Sequence, residues 1–254
     1  MKRLAIAAAT ALLALFYRFC RLFPVKRQVV CISRQSDDAP IDFLLLKEEL
    51  SREEPPYRTV ILANKLESPL RYVPVVAKQV FFMATSRAII LDSYCIAVSL
   101  LGERIKAPVV QIWHALGNMK KFGYAALDTP EGHSSETACL MHMHEGYDAA
   151  AVSSLNFRGD LAAGFNIDPS IVFEAPLPRV DLLRNPPIPL RATQGLPAGS
   201  SRDGWQKDYR ILPDLPQGAG AQRKGGDAEL ALGGRFRSVQ FRLYAPSRSV
   251  GGPG

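Results

Sequence analysis

Val109-Val110-Gln111-Ile112-Trp113-His114-Ala115-Leu116-Gly117-Asn118-Met119-Lys120-Lys121-Phe122-Gly123-Tyr124 is a short apolar run that breaks into Trp-His, a glycine-containing turn and two lysines. The run, residues 109–112, reads as a buried strand. In open α/β sheets, ligands sit just beyond the carboxyl ends of the strands. The imidazole of His114 is therefore expected where chemistry is done, with Trp113 beside it and Lys120 and Lys121 near enough to hold a phosphate.

Outward from this stretch the chain alternates strand and helix. Residues 29–33 read as a strand, 41–50 have helical apolar spacing, 58–63 read as a strand and 73–83 as a helix. Residues 87–91 form a third strand that ends in Asp92-Ser93-Tyr94. Past residue 112, residues 137–147 read as a helix, 149–153 as a strand, 157–165 as a helix and 170–173 as a last short strand. Alternation of this kind implies βαβ units, an α/β fold and a Rossmann-like parallel sheet of about six strands. Several strands end in polar residues (Ser33-Arg34-Gln35, Asp92-Ser93, Trp113-His114, Ser153-Ser154), and these ends are expected to share one edge of the sheet.

The net charge of +7 raises the question of nucleic acid, but its distribution excludes that class. Residues 1–30 carry six Lys/Arg and no acid, and residues 191–254 carry ten Lys/Arg against five Asp/Glu, which leaves a net −4 for residues 31–190. A nucleic-acid-binding core carries a basic patch or stripe, so no nucleic acid is expected as a partner. The four cysteines, Cys20, Cys31, Cys95 and Cys139, form no CxxC pair. They read as reduced, mostly buried thiols rather than a disulfide framework or a zinc site. His142 and His144 stand two apart, so on a helix they face different ways, and no metal site is assigned to them with His133.

Leu4 to Phe16 is apolar, preceded by Lys2 and Arg3 and followed by aromatic and aliphatic residues interleaved with Arg18, Arg21, Lys26 and Arg27. The run is shorter than the roughly 20 residues of a simple span. No small-x-small cleavage site follows it. Residues 1–24 are read as a peripheral segment lying on an anionic membrane surface, where each nearby cation adds about 1 kcal/mol. A signal peptide and an ordinary buried helix remain open beside that reading. Residues 189–254 hold 12 of the 19 glycines, with many prolines and arginines and no periodicity. They are expected to be disordered, since such composition buries too little apolar surface.

Five landmarks carry a resemblance: Phe23-Pro24-Val25-Lys26; Ala84-Thr85-Ser86 with Leu91-Asp92-Ser93-Tyr94; the Gln111–Gly123 segment; Met143-His144-Glu145-Gly146-Tyr147-Asp148; and Pro178-Arg179-Val180-Asp181-Leu182-Leu183. In this order, over about residues 22–185, the chain resembles the CDP-glycerol glycerophosphotransferases, bacterial enzymes that build teichoic-acid-type polymers. The resemblance implies a glycosyltransferase-B-like architecture of two Rossmann-like domains facing a cleft, with residues 25–188 as the acceptor-side half. It implies transfer of glycerol phosphate from a CDP-glycerol donor to a hydroxyl of a lipid-linked or polymeric polyol-phosphate acceptor, at the cytoplasmic face of the bacterial membrane. His114 matches the family's tryptophan-adjacent histidine and would be the general base. A fold of this kind commonly works without a bound metal, so neither metal nor cofactor is expected. This chain departs from the family at Ala115-Leu116-Gly117, where many members have Gly-Thr-Pro.

Charge on the phosphoryl oxygens must be neutralised in place, and Lys120, Lys121 and Arg179 are the cations near motifs. Lys120 and Lys121 could equally be a solvated face. Arg179 and Asp181 could be a salt bridge closing the domain. Asp92 could contact acceptor hydroxyls or cap the following helix. The family's donor-side His-Pro motif is not matched, although codons for Pro246-Ser247-Arg248 read one nucleotide later can spell His-Pro-Val. The tail is therefore expected to be at least partly a frameshifted remnant of a donor domain. Two alternatives stand beside the transferase reading: a catalytically inactive acceptor-binding module, and the same chemistry with CDP-ribitol or another CDP-polyol.

Overall fold

The computed structural model describes residues 2–65, 69–117 and 120–184. The expectations for residues 189–254 lie outside them. Helix α1 (Lys2–Cys20) leads into strand β1 (Gln28–Ser33), then α2 (Ile41–Ser51), β2 (Arg58–Ala63), α3 (Pro69–Thr85) and β3 (Ala88–Leu91). There follow α4 (Ile96–Leu101), β4 (Val109–Gln111), α5 (Ser135–Leu140), β5 (Ala149–Val152), α6 (Arg158–Phe165), β6 (Val172–Glu174) and α7 (Arg179–Arg184). The strands form one sheet in the order β2-β1-β3-β4-β5-β6, with every pairing parallel.

Two helical layers cover this sheet, and the β1 side chains explain why. Both faces must be apolar when both are covered, and all six residues of β1 are buried. On one face Val30 and Ile32 join Ile89, Leu91, Val109 and Phe165; on the other Val29 and Cys31 join Ile90 and Phe43 of α2. Truncating a fully buried phenylalanine such as Phe43 or Phe165 to alanine costs about 3–5 kcal/mol.

The order also locates the site. The chain winds outward from β1 to β2, crosses back to β3, and continues to β6 in the other direction. The switch point falls between β1 and β3, where doubly wound sheets of this order open a crevice at their carboxyl ends.

The α/β parallel sheet is as the sequence implies, and most strands fall within a residue of expectation. Four local readings need correction. Helix α4, expected after Asp92 only as a helix without bounds, is a single short apolar stretch whose residues 97–101 are buried. Helix α3 begins at Pro69 and runs through Pro74, which looks like a helix start but lies inside. The last strand is shifted to Val172–Glu174, because Asp168 caps a short 3-10 turn over residues 169–171 instead.

The fourth correction is the helix expected over 137–147, which stops at Leu140. His142, His144 and Gly146 all have positive φ (48°, 64° and 89°), so the chain leaves the helix in tight turns. His142 is exposed and pairs with Glu145 at 3.0 Å, whereas His144 is buried. They diverge because of these turns, not because of helical phase. Among the described residues no three His, Cys, Asp or Glu side chains form a group that could hold a metal.

Helix α1 is not detached from the sheet's helical layer. Its last turn buries Tyr17 and Cys20 in the core, and the Lys106 amide donates to the Tyr17 hydroxyl at 3.1 Å. Leu4, Leu12, Leu15 and Phe19 stay exposed, as do Leu22 and Phe23 beyond it. Residues Arg3–Cys20, with mean hydropathy 1.5, are long and apolar enough to cross a membrane by length and composition alone. Cys31 and Cys95 are buried with Cys20, and Cys139 is exposed.

Candidate functional site

Strand β4 ends in a glutamine that builds the turn after it. Gln111 is fully buried, and its Nε2 donates to the Ser93 carbonyl and to the Tyr147 hydroxyl, each at 3.2 Å. Its Oε1 accepts from the Trp113 amide at 2.9 Å. That bond helps hold Trp113 at φ 61°, a left-handed conformation rare for a bulky residue. Such a conformation costs of order 1–3 kcal/mol and persists only where its surroundings over-determine it. The indole ring is then stacked on Phe122 (centroids 4.8 Å apart) and edge-on to Phe165 (5.1 Å).

Gly123 makes the second half of the turn possible. Its φ is 54°, and an added Cβ would overlap the carbonyl oxygen of Gly164 in α6. The loop is thereby pressed against α6, with Phe122 filling the space that a Gly164 side chain would need.

These constraints turn His114 toward β3. Its Nδ1 lies 2.8 Å from the backbone carbonyl oxygen of Asp92. A carbonyl only accepts, so Nδ1 carries the proton and Nε2 is left with its lone pair. The second ring nitrogen is thus a proton acceptor set by the bond the first one makes. Gln35 Nε2 stands 3.3 Å from the same Nδ1 but, as an N–H group, cannot accept its proton, which the carbonyl takes.

His114 and Trp113 line a cavity of about 450 Å³ at the switch point, together with Arg34, Gln35, Tyr94 and His144. Arg34 follows β1, its amide on Ser93 Oγ (2.9 Å) and its Nη1 on the Tyr94 carbonyl (3.1 Å). His144 Nδ1 is 2.9 Å from the Tyr147 hydroxyl, and the ring lies against Phe165 at 4.7 Å. Burial, with a smaller contribution from His133, pushes the His144 pKa down to about 4. This ring is neutral at neutral pH.

The other residues singled out in the sequence stand elsewhere. The Asp92 carboxyl is buried behind His114 and does not line the cavity. Desolvation raises its pKa, opposed by hydrogen bonds from Ser33 and Ser93 and by His114. It does not cap α4, whose N-cap is Cys95 with no side-chain bond. Lys120 is solvated, 3.7 Å from Glu131, and Lys121 is exposed. Neither lines the cavity.

Arg179 pairs with Asp42 rather than with Asp181. Its amide and Nε donate to the Asp42 carboxylate at 2.8 and 2.7 Å, and its Nη2 makes a further short contact. The reason is burial. Asp42 is 1% exposed on α2 and needs a cation, whereas Asp181 is half-buried on the same short helix as Arg179. This pair ties α7 to α2.

Sequence reasoning missed Arg34, Gln111 and Tyr147 as site residues, and gave His144 no role beyond a landmark position and a rejected metal site. For Arg34 a signal existed, since Ser33-Arg34-Gln35 is a polar strand end of the kind expected at this edge. For Gln111 and Tyr147 the signal was their place in the landmark segments Gln111–Gly123 and Met143–Asp148, which gave neither a role.

The model of the family described as CDP-Glycerol:Poly(glycerophosphate) glycerophosphotransferase matches residues 15–200. The chain belongs to this family. It is 28% identical over 164 residues to the teichoic acid ribitol-phosphate primase of Bacillus spizizenii (strain W23), covering 63% of this chain and 42% of that one. It is 30% identical over 173 residues to the teichoic acid poly(ribitol-phosphate) polymerase of the same strain, covering 68% of this chain and 27% of that one. Over 104 residues it is 27% identical to the teichoic acid glycerol-phosphate primase of Bacillus subtilis (strain 168), covering 41% of this chain and 27% of that one. The chain thus spans less than half the length of these relatives. Among solved structures, the wall teichoic acid polymerase TagF matches with a TM-score of 0.51 at 12% identity, covering 72% of this chain and 51% of that one. That likeness supports the glycosyltransferase-B-like class for the fold of this family member.

Proposed function

We propose that this chain takes part in transfer of a polyol phosphate from a CDP-polyol to a hydroxyl of a teichoic-acid-type acceptor, with His114 as general base. The observation that carries the reading is the 2.8 Å bond between His114 Nδ1 and the Asp92 carbonyl, which leaves Nε2 free to accept a proton beside the cavity. Histidine is the side chain most often used for proton transfer of this kind, and this one is held in place with its acceptor nitrogen unbonded among the described residues. In the reaction the acceptor hydroxyl attacks the polyol-bearing phosphorus of the donor, the bond to CMP breaks, and the hydroxyl proton passes to Nε2.

Glycerol and ribitol donors both fit the relatives, whose names divide between the two. The test is CMP release from CDP-glycerol and from CDP-ribitol with a polyol-phosphate primer. Release from either, abolished in His114→Ala, supports the reading. No release by the wild type, with His114→Ala indistinguishable, supports an acceptor-binding module instead.

The same proposal puts α1 in the interface of an anionic bilayer. Exposed Leu12, Leu15, Phe19, Leu22 and Phe23 interleaved with Arg18 and Arg21 support it, since amphipathic helices bind by apolar burial plus attraction to anionic lipid. Co-flotation with phosphatidylglycerol vesicles but not with neutral ones checks it.

A further inference from the structure

The cavity carries one charge that proton transfer leaves without a task. Arg34 forms no salt bridge among the described residues, and no Asp or Glu lines the cavity. Its guanidinium spends one hydrogen bond on the Tyr94 carbonyl, and its Cζ lies 5.9 and 5.6 Å from the ring centroids of Tyr72 and Tyr94. Its Nε is buried without a partner. Arginine presents five donors in a rigid fork suited to phosphate, and such charge-assisted bonds are the strong ones.

Arg34 and His114 are anchored to one short piece of backbone. The Asp92 carbonyl holds His114 and the Tyr94 carbonyl holds Arg34. Two residues of extended chain span at most roughly 7 Å. The cation and the proton acceptor therefore line the same cavity, where one ligand carrying both a hydroxyl and an anion can meet the two of them.

The charge balance narrows the anion. His144 Nδ1 faces the Tyr147 hydroxyl, whose oxygen already accepts from Gln111, so the hydroxyl donates to Nδ1. The proton of the neutral ring therefore sits on Nε2, which adds a donor to the cavity without adding charge. One guanidinium with neutral donors matches a singly charged phosphodiester better than a doubly charged phosphate monoester.

We propose that Arg34 binds the last phosphodiester of the acceptor chain and so positions the terminal hydroxyl against Nε2 of His114. This rests on the transferase reading but is testable apart from it. The probe is glycerophosphoglycerol, a phosphodiester with free hydroxyls, titrated calorimetrically into the full chain, with glycerol and inorganic phosphate as comparisons.

Wild-type protein is expected to bind the diester more tightly than either comparison, and more weakly as salt rises. Arg34→Gln is expected to lose at least tenfold in affinity and Arg34→Lys distinctly less, with thermal midpoints showing both folded. Should Arg34→Gln fail to fold, the Lys variant and the salt dependence decide. Diester affinity unchanged in Arg34→Gln, indifferent to salt, or no better than that of glycerol overturns the proposal. His114→Ala is expected to keep diester binding. If CMP release fails while Arg34-dependent diester binding persists, the transferase reading falls and this site stands. If release occurs and Arg34→Gln leaves the acceptor KM unchanged, the site falls and the reaction stands.

Discussion

The backbone N–H of Trp113 donates to the side chain of Gln111, two residues earlier, at 2.9 Å. Through that bond a buried amide bends the chain so that His114 meets the carbonyl of Asp92. The same amide reaches the Ser93 carbonyl and the Tyr147 hydroxyl, so one side chain joins the ends of β3 and β4 to the loop before β5.

Gln111→Leu is expected to keep the volume and lose all three bonds. Buried groups left unpaired cost about 1–3 kcal/mol, and urea unfolding should show a loss in that range. Activity should fall further than stability alone explains, because the left-handed turn at Trp113 loses its partner.

The Asp42–Arg179 pair gives a second expectation. Asp42 is almost fully buried while the Arg179 side chain is 35% exposed, so the pair is only partly shielded from water. Removing the cation leaves a buried carboxylate with lost charge-assisted bonds, each worth about 1.5–3 kcal/mol. Arg179→Ala should therefore cost on the order of 2 kcal/mol, and Asp181→Ala much less. The Asp42→Ala/Arg179→Ala double mutant should cost less than the sum of its parts, measured by a chemical-denaturation cycle.

Stability should decline with acid partly because of His144. Its folded pKa, about 4, lies below the ordinary 6.5, so the unfolded chain binds the proton first. The stability from keeping this ring neutral is fully present above about pH 6.5 and drains away as pH falls toward 4. At 1.36 kcal/mol per pKa unit the change approaches roughly 3 kcal/mol. Asp92, whose carboxyl is raised by burial, works in the opposite direction in acid. The difference between wild type and His144→Gln isolates the histidine, and its absence between pH 7 and 4 contradicts the assignment.

Lys120→Ala should change stability by less than about 0.5 kcal/mol, since solvated ion pairs such as Lys120–Glu131 contribute little. Thermal melts of the variant at low and high salt check this.

Strands β1, β3, β4 and β5 were legible because strands buried on both faces become apolar runs, and a run such as Val29–Ile32 needs no partner to be recognised. His114 was legible as a polar residue at such a run's end. Arg179 was legible as important and misread in its pairing, because Asp42 lies 137 residues away and on-helix Asp181 is the nearer carboxylate in sequence. The turn around His144 was hidden behind a helical pattern, since left-handed φ at His142 and His144 is favoured by contacts the pattern does not record.

The sequence by itself determined the alternation of strands and helices, the family and the histidine, because each is written in consecutive residues and their chemistry. Only the tertiary structure decided which groups meet: Arg34 beside His114, Gln111 under Trp113, Asp42 on Arg179. Those contacts depend on the strand order β2-β1-β3-β4, which brings chain segments tens of residues apart to one sheet edge. Burial there drives most polar groups to find a partner, and local sequence does not say which one.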